Sequence, residues 1–106
     1  AARHAADLSY SERIDALTRS RSDRLRVVKV VSRESSSGAL HGRIPDLVRD
    51  GQLEAAAGLP LDAATAQVLL CGNPAMVADT TAVLLERGMR KHRRRSPGQI
   101  SAENYW

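Results

Sequence analysis

The sequence has no phenylalanine, one cysteine, one tryptophan and two tyrosines among its 106 residues, and it contains no long apolar run. Each shortage excludes something. A bilayer-spanning helix needs roughly 20 consecutive, predominantly apolar residues, and no stretch approaches that. The segment Ala1 to Tyr10 lacks the charged-then-apolar order of a secretion signal, so no membrane partner is expected. Cys71 is alone and cannot close an internal disulfide, and His4, His41 and His92 are too scattered for a zinc site. A reducing, cytoplasmic compartment without a bound metal is therefore expected. The chain is too short for more than one domain and lies near the small end for burying a core alone. Basic charge is what it has in excess: 16 Lys and Arg against 12 Asp and Glu give a net charge of +4, carried mostly by arginine. That balance favours phosphates, acidic proteins or nucleic acid, and by itself does not choose among them. The opening Ala1-Ala2-Arg3-His4, with no initiator Met, reads as part of something longer.

Along the chain, Ser9-Tyr10-Ser11-Glu12 has the form of a capping box, followed by Tyr10, Ile14 and Leu17 on one face of an amphipathic helix of about three turns. Leu25 to Val31 is valine-rich and almost continuously apolar, as expected of a strand covered on both faces. Ser35 to Gly42 reads as a loop. Arg43 to Asp50 has proline in its first turn and Gly51 just beyond, the asymmetry of a short helix that Gln52 to Ala57 extends by a turn. Gly58 to Leu61 breaks it, and Gln67 to Cys71 follows as a second buried strand. Gly72-Asn73-Pro74 then turns into a helix capped by Asn73, carrying Met76, Val77, Thr80 and Leu84 and stopping near Gly88. Lys91 to Gly98 is basic and turn-prone, and Gln99 to Trp106 suits a last short strand. There is no internal repeat.

Strands alternating with helices imply an α/β fold, a doubly wound parallel sheet with flanking helices. About three strands are visible, fewer than the usual five or six, so the sheet is expected to be partial, with strands upstream of Ala1 and with Ala1 to Arg3 as the tail of one. Ligands of such sheets bind beyond the carboxyl ends of the strands. The sequence places Arg3, then Ser32 and Arg33, then Cys71, Gly72 and Asn73 at those ends. Arg43 follows a glycine at a helix start, where free amides favour an anion. Guanidinium forks match phosphate oxygens in pairs, so clustered arginines suit a phosphate monoester. The alternative is that Arg3, Arg33 and Arg43 are unrelated surface residues. Likewise, Cys71-Gly72-Asn73-Pro74 is either a backbone opening toward a ligand or only a tight strand-to-helix turn, and no sequence neighbour marks Cys71 as a nucleophile.

Val30-Val31-Ser32-Arg33-Glu34, Gly42-Arg43-Ile44-Pro45, Cys71-Gly72-Asn73-Pro74-Ala75-Met76-Val77 and Ala102-Glu103-Asn104-Tyr105-Trp106 together resemble the C-terminal half of bacterial-type ferredoxin-NADP reductases, in order and over essentially the whole chain. The resemblance implies an FAD enzyme that passes electrons between NADPH and ferredoxin or flavodoxin. Residues 1–106 would be the C-terminal part of the NADP-binding domain of a two-domain flavoprotein. The FAD-binding barrel and the first strand with its Gly-rich turn would lie outside the chain, which alone would be inactive. By position, the resemblance implies that Arg3, Arg33 and Arg43 hold the 2′-phosphate of NADP with Ser32 beside it. Gly72, Asn73, Pro74, Ala75 and Asp79 would line the nucleotide site, and Cys71 would be the catalytic-site cysteine where hydride passes between nicotinamide and flavin. Tyr105 would pack on the isoalloxazine ring and Trp106 toward the adenine.

Lys91 to Arg95 is either a solvated turn or a docking surface for an acidic ferredoxin or flavodoxin. The competing function is a basic protein- or nucleic-acid-interaction domain with no nucleotide cofactor. A nucleic-acid partner would call for aromatics interleaved with the basic residues or a recognition helix, and the sequence has neither, so no nucleic acid is expected.

Overall fold

The computed structural model describes residues 1–8, 11–21 and 23–104. The expected cap at Ser9 and the aromatics Tyr10, Tyr105 and Trp106 lie outside these residues. The elements in chain order are α1 (Ser11–Ser20), β1 (Val30–Val31), β2 (Leu40–His41), α2 (Ile44–Arg49), α3 (Gln52–Ala57), β3 (Val68–Gly72), α4 (Pro74–Glu86) and β4 (Ile100–Asn104), with a 3-10 turn at Ala5–Asp7 before α1. Both ladders are parallel. β1 pairs with β2, and β3 pairs with β4 in the register Val68↔Ile100 through Gly72↔Asn104.

The first ladder is shorter than the valine-rich segment suggests. Only Val30 and Val31 are in the strand and both are buried, whereas Val27 is 40% exposed. The segment gains partners on both sides only where its neighbours come alongside. The Leu40 amide donates to the Lys29 carbonyl at 2.8 Å and the Gly42 amide to the Val31 carbonyl at 3.0 Å. On the other edge Ala2 bridges Val31 in parallel, its amide donating to the Val30 carbonyl, so Ala1–Arg3 does run strand-like. The stretch expected to be all loop therefore contains β2, whose two residues follow a Ser- and Gly-rich connection that carries no strand signal. α1 contributes a half-buried Ile14, but Leu17, expected on the same face, is 54% exposed. Asp15 of α1 instead takes an ion pair from Lys29 at 2.9 Å.

In the second ladder β3 is covered on one face alone. Val68 and Leu70 pack onto the core while Leu69 is 84% exposed, which corrects the expectation of a buried strand: among the described residues nothing covers that face. α4 follows directly. The Asn73 side chain accepts the Ala75 amide at 2.8 Å and Pro74 occupies the first turn, where its missing N–H costs nothing. The helix buries Val77, Thr80, Thr81, Val83 and Leu84, and after Gly88 turns at φ +84 the chain buries Met89. The basic segment is an ordered return to β4. The Arg93 and Ser96 backbones exchange two hydrogen bonds, and the Ile100 amide donates to the Arg90 carbonyl at 3.1 Å. Gly98 passes so close to that carbonyl that a Cβ there would lie 2.4 Å from the Arg90 oxygen, so only glycine fits.

Val48, Val83, Leu84, Met89 and Ile100 form the core that joins α2, α4 and β4. It is locked by one polar knot. Arg87, just past α4, donates to the Val48 carbonyl at 2.6 Å and pairs with the Glu54 carboxylate of α3, which also accepts the Leu61 amide at 2.8 Å. The Leu61 amide first, and the Arg87 guanidinium second, hold the Glu54 carboxyl below the usual glutamate range. Because its folded pKa is depressed, Glu54 stabilises the fold above the usual glutamate range, and that contribution is lost as pH falls through the folded value. Thermal melts should show it as a loss of stability of the native chain as pH falls below the usual glutamate range. Glu54→Gln should show a lower, flatter profile over the same window.

Candidate functional site

Three backbone turns bring the strand ends together. β1 is followed by Ser32, whose amide donates to the Ala2 carbonyl at 3.0 Å and so fixes Ala1–Arg3 beside it. β2 leads through Gly42 into Arg43, the N-cap of α2. β3 ends at Gly72, where the chain turns through Asn73 into α4. Gly42 and Gly72 both sit at φ +143, a backbone state that side-chain-bearing residues rarely adopt. Between these turns lies an open cleft of about 310 Å³ whose wall includes Arg3, Ser32, Arg43, Cys71, Gly72 and Asn73. Ile44, Pro45 and Met76 supply apolar lining.

Most of the residues expected at strand ends therefore meet in one place. Arg43 also reaches α4, where its Nη2 lies 3.3 Å from an Asp79 carboxylate oxygen, so Asp79 flanks the cleft through an ion pair. Arg33 is next along the ladder, its amide donating to the Arg3 carbonyl at 2.8 Å, but it is not part of the cleft wall. Pro74 faces a different groove, and Ala75 is exposed with its amide spent on the Asn73 cap. α2 has only six residues, so Arg43's guanidinium, rather than a helix end, supplies the positive charge at that corner. Ile44, Pro45 and Met76 lie within the segments that carry the resemblance, but the sequence reading gives them no site role. The available signal was their position: two follow Arg43 directly and the third is in the first turn of α4.

A larger groove of about 660 Å³ runs between α4 and β4, lined in part by Val77, Ala82, Leu85, Lys91, His92 and Ala102. It has greater volume but only Lys91 and His92 as cationic or titratable groups. The smaller cleft joins two guanidiniums, a hydroxyl, a thiol and an amide cap at the strand ends, where α/β sheets bind ligands, and is the stronger candidate. Among the described residues no group of His, Cys, Asp and Glu could hold a metal ion, and no helix is long and apolar enough to cross a membrane.

Known proteins resemble this chain in sequence and in fold. The family model of the oxidoreductase NAD-binding domain matches residues 1–82. Over its full length the chain is 52% identical to a flavodoxin/ferredoxin–NADP reductase of Shigella flexneri and 51% identical to one of Escherichia coli (strain K12), and it covers 43% of each. A solved ferredoxin NADP+ reductase from Neisseria gonorrhoeae with bound FAD and NADP superposes with a TM-score of 0.90 at 36% identity, over 97% of this chain and 41% of that one. The chain thus spans 43% of the length of the first two relatives. The parallel strands with flanking helices are those of an α/β nucleotide-binding fold, as expected from sequence.

Gly72 tests the cleft's backbone. A Cβ there would adopt a strained φ and lie 3.1 Å from the Met76 methyl, so Gly72→Ala should cost about 1–2 kcal/mol in denaturant unfolding. An unchanged midpoint would show that the turn does not depend on glycine.

Proposed function

The chain belongs to the oxidoreductase NAD-binding domain family, and on that basis we propose that it is the C-terminal part of the NADP-binding domain of a reductase that moves electrons between NADPH and ferredoxin or flavodoxin. The FAD-binding barrel and the first strand with its Gly-rich turn belong, in this reading, to the rest of the whole protein, which is the enzyme. A cytoplasmic compartment fits the single unpaired thiol. The observation that carries the reading is the meeting of Arg3 and Arg43 with the Ser32 hydroxyl at the strand ends, beside the Gly72-Asn73 turn.

The residues present fit the nucleotide. Two guanidiniums and a hydroxyl offer several donors to a phosphate monoester and none that would favour a bare ribose hydroxyl equally, which is the basis for choosing NADP over NAD. Arg33, on the rung after Ser32, adds charge at the rim. Gly72 lets a ligand approach the backbone, Asn73, Pro74 and Ala75 hold the start of α4 in place, and Ile44, Pro45 and Met76 give the cleft an apolar wall. When bound, NADPH would supply a hydride and FAD, held by the rest of the whole protein, would provide the acceptor that splits the electron pair for the partner. Cys71 is exposed beside this cleft, and its strand partner Glu103 lies next to Asn104, the last described residue. Tyr105 and Trp106 follow at once, and we assign them the flavin side of the site in the whole protein. Among the described residues, the basic turn around Arg93 to Arg95 makes no ion pair, and its charge suits an acidic electron partner. An interaction domain without a nucleotide is the weaker reading, since it accounts for neither the family match nor the convergent arginines.

In the whole protein, Arg3→Ala should raise the KM for NADPH about ten-fold, and Arg33→Ala should act in the same direction, each with little change for NADH. Equal losses with both cofactors would reject the phosphate assignment. Replacing Arg93, Arg94 and Arg95 by serine should slow reduction of ferredoxin or flavodoxin several-fold at low ionic strength and flatten its salt dependence, with ferricyanide reduction unchanged. An unaltered salt profile would make the turn a solvated one.

A further inference from the structure

We propose that Glu34 is a positioning residue for the phosphate-binding arginines, a single residue outside the cleft wall that anchors all three arginine-bearing segments. The inference rests on the reading of the cleft as the 2′-phosphate site and adds what holds its cations in place. Glu34 makes two contacts, one on each side of β1. Its carboxylate accepts the Ala5 amide at 2.6 Å, and its backbone carbonyl accepts from His41 Nδ1, also at 2.6 Å. Ala5 lies two residues after Arg3, Glu34 directly follows Arg33, and His41 lies two residues before Arg43. The two bonds therefore tie the segment of Arg3 and the segment of Arg43 to the turn that carries Arg33.

These ties come where the backbone pairing runs out. Among the described residues, the last backbone hydrogen bond toward Ala1–Arg3 runs from the Arg33 amide to the Arg3 carbonyl at 2.8 Å, and the last toward β2 from the Gly42 amide to the Val31 carbonyl at 3.0 Å. Glu34 supplies the next contact on both sides. The Ala5 amide opens the 3-10 turn Ala5–Asp7, whose N-cap His4 makes no side-chain cap hydrogen bond, so the Glu34 carboxylate takes that place from 29 residues away. Arg3, Arg33 and Arg43 are all exposed, so packing does not aim their guanidiniums. Their aim depends on the backbone that carries them, and strand ends open easily unless they are tied. On charge alone a carboxylate near a phosphate weakens its binding, whereas an anchor for the arginines strengthens it. The two effects have opposite signs when the side chain is removed.

The test is calorimetric titration of the whole protein with adenosine 2′,5′-bisphosphate and, separately, 5′-AMP, at one salt concentration. Glu34→Ala should bind the bisphosphate about three- to ten-fold more weakly and lose less affinity for 5′-AMP, so the preference for the 2′-phosphate shrinks. Glu34→Gln keeps an acceptor for the Ala5 amide without the charge and should stay within about two-fold of the native protein. His41→Ala breaks the second tie and should weaken the bisphosphate by about two-fold or more. In an Arg3→Ala background the effect of Glu34→Ala should be smaller, because part of it passes through that guanidinium. Unchanged or tighter bisphosphate binding in Glu34→Ala or in His41→Ala, an equal loss in Glu34→Gln, an equal loss for both nucleotides, or full additivity with Arg3→Ala would overturn the proposal. Failure of the underlying reading looks different: the native protein would bind both nucleotides alike, and Arg3→Ala would move neither.

Discussion

The cleft depends on Arg87. Its guanidinium reaches the Val48 carbonyl at the end of α2 and the Glu54 carboxylate of α3, and that carboxylate holds the Leu61 amide on the way to β3. A single side chain thus joins the C-terminal end of α4, both short helices and the approach to the second ladder. α2 and α3 have six residues each and would not persist as helices without tertiary support. Because the knot is small and half-buried, it acts with the apolar core of Val48, Val83, Leu84, Met89 and Ile100 rather than in place of it. Together they set the start of α2 opposite the start of α4, which puts Arg43 across from Asn73 and Asp79.

What this framework holds is a surface cleft, not a closed pocket. Two parallel ladders of unequal length each end in a glycine at φ +143, and both glycines open toward the same space. One ladder brings Ser32 and, through Ala2, the Arg3 side chain; the other brings Cys71 and the Asn73 cap. The charge at the cleft is local and convergent. At the basic turn it is spread along an exposed hairpin held by Arg93 and Ser96 and by the close fit of Gly98. In the proposed reading the two cationic features serve different partners, a small phosphorylated ligand in the first case and a broad acidic protein surface in the second.

The sequence was most legible where local chemistry and fold agree. Gly72-Asn73-Pro74 announces the β3-to-α4 turn because each residue has one job there, and the structure shows the cap as read. The parallel alternation and the strand-end placement of Arg3, Ser32, Arg43 and Cys71 follow from the same logic. Leu25 to Val28 misled because valine propensity cannot report whether a neighbour is alongside; only Val30 and Val31 have one on each edge. β2 escaped notice because its pairing is two residues long and the preceding serines and glycines look like any loop. Leu69 shows the same limit from the other direction, an apolar residue in a strand with one face open. The Arg43–Asp79 contact joins residues 36 apart through the packing of two helices, and no local pattern in the sequence encodes it.

The central claim is that the phosphate of a 2′-phosphorylated adenine nucleotide sits among Arg3, Ser32 and Arg43. A crystal structure of the whole protein with adenosine 2′,5′-bisphosphate tests it most directly. The account predicts 2′-phosphate oxygens within hydrogen-bond distance of the Arg3 and Arg43 guanidiniums. A phosphate seated instead in the groove between α4 and β4, against Lys91 and His92, would contradict it.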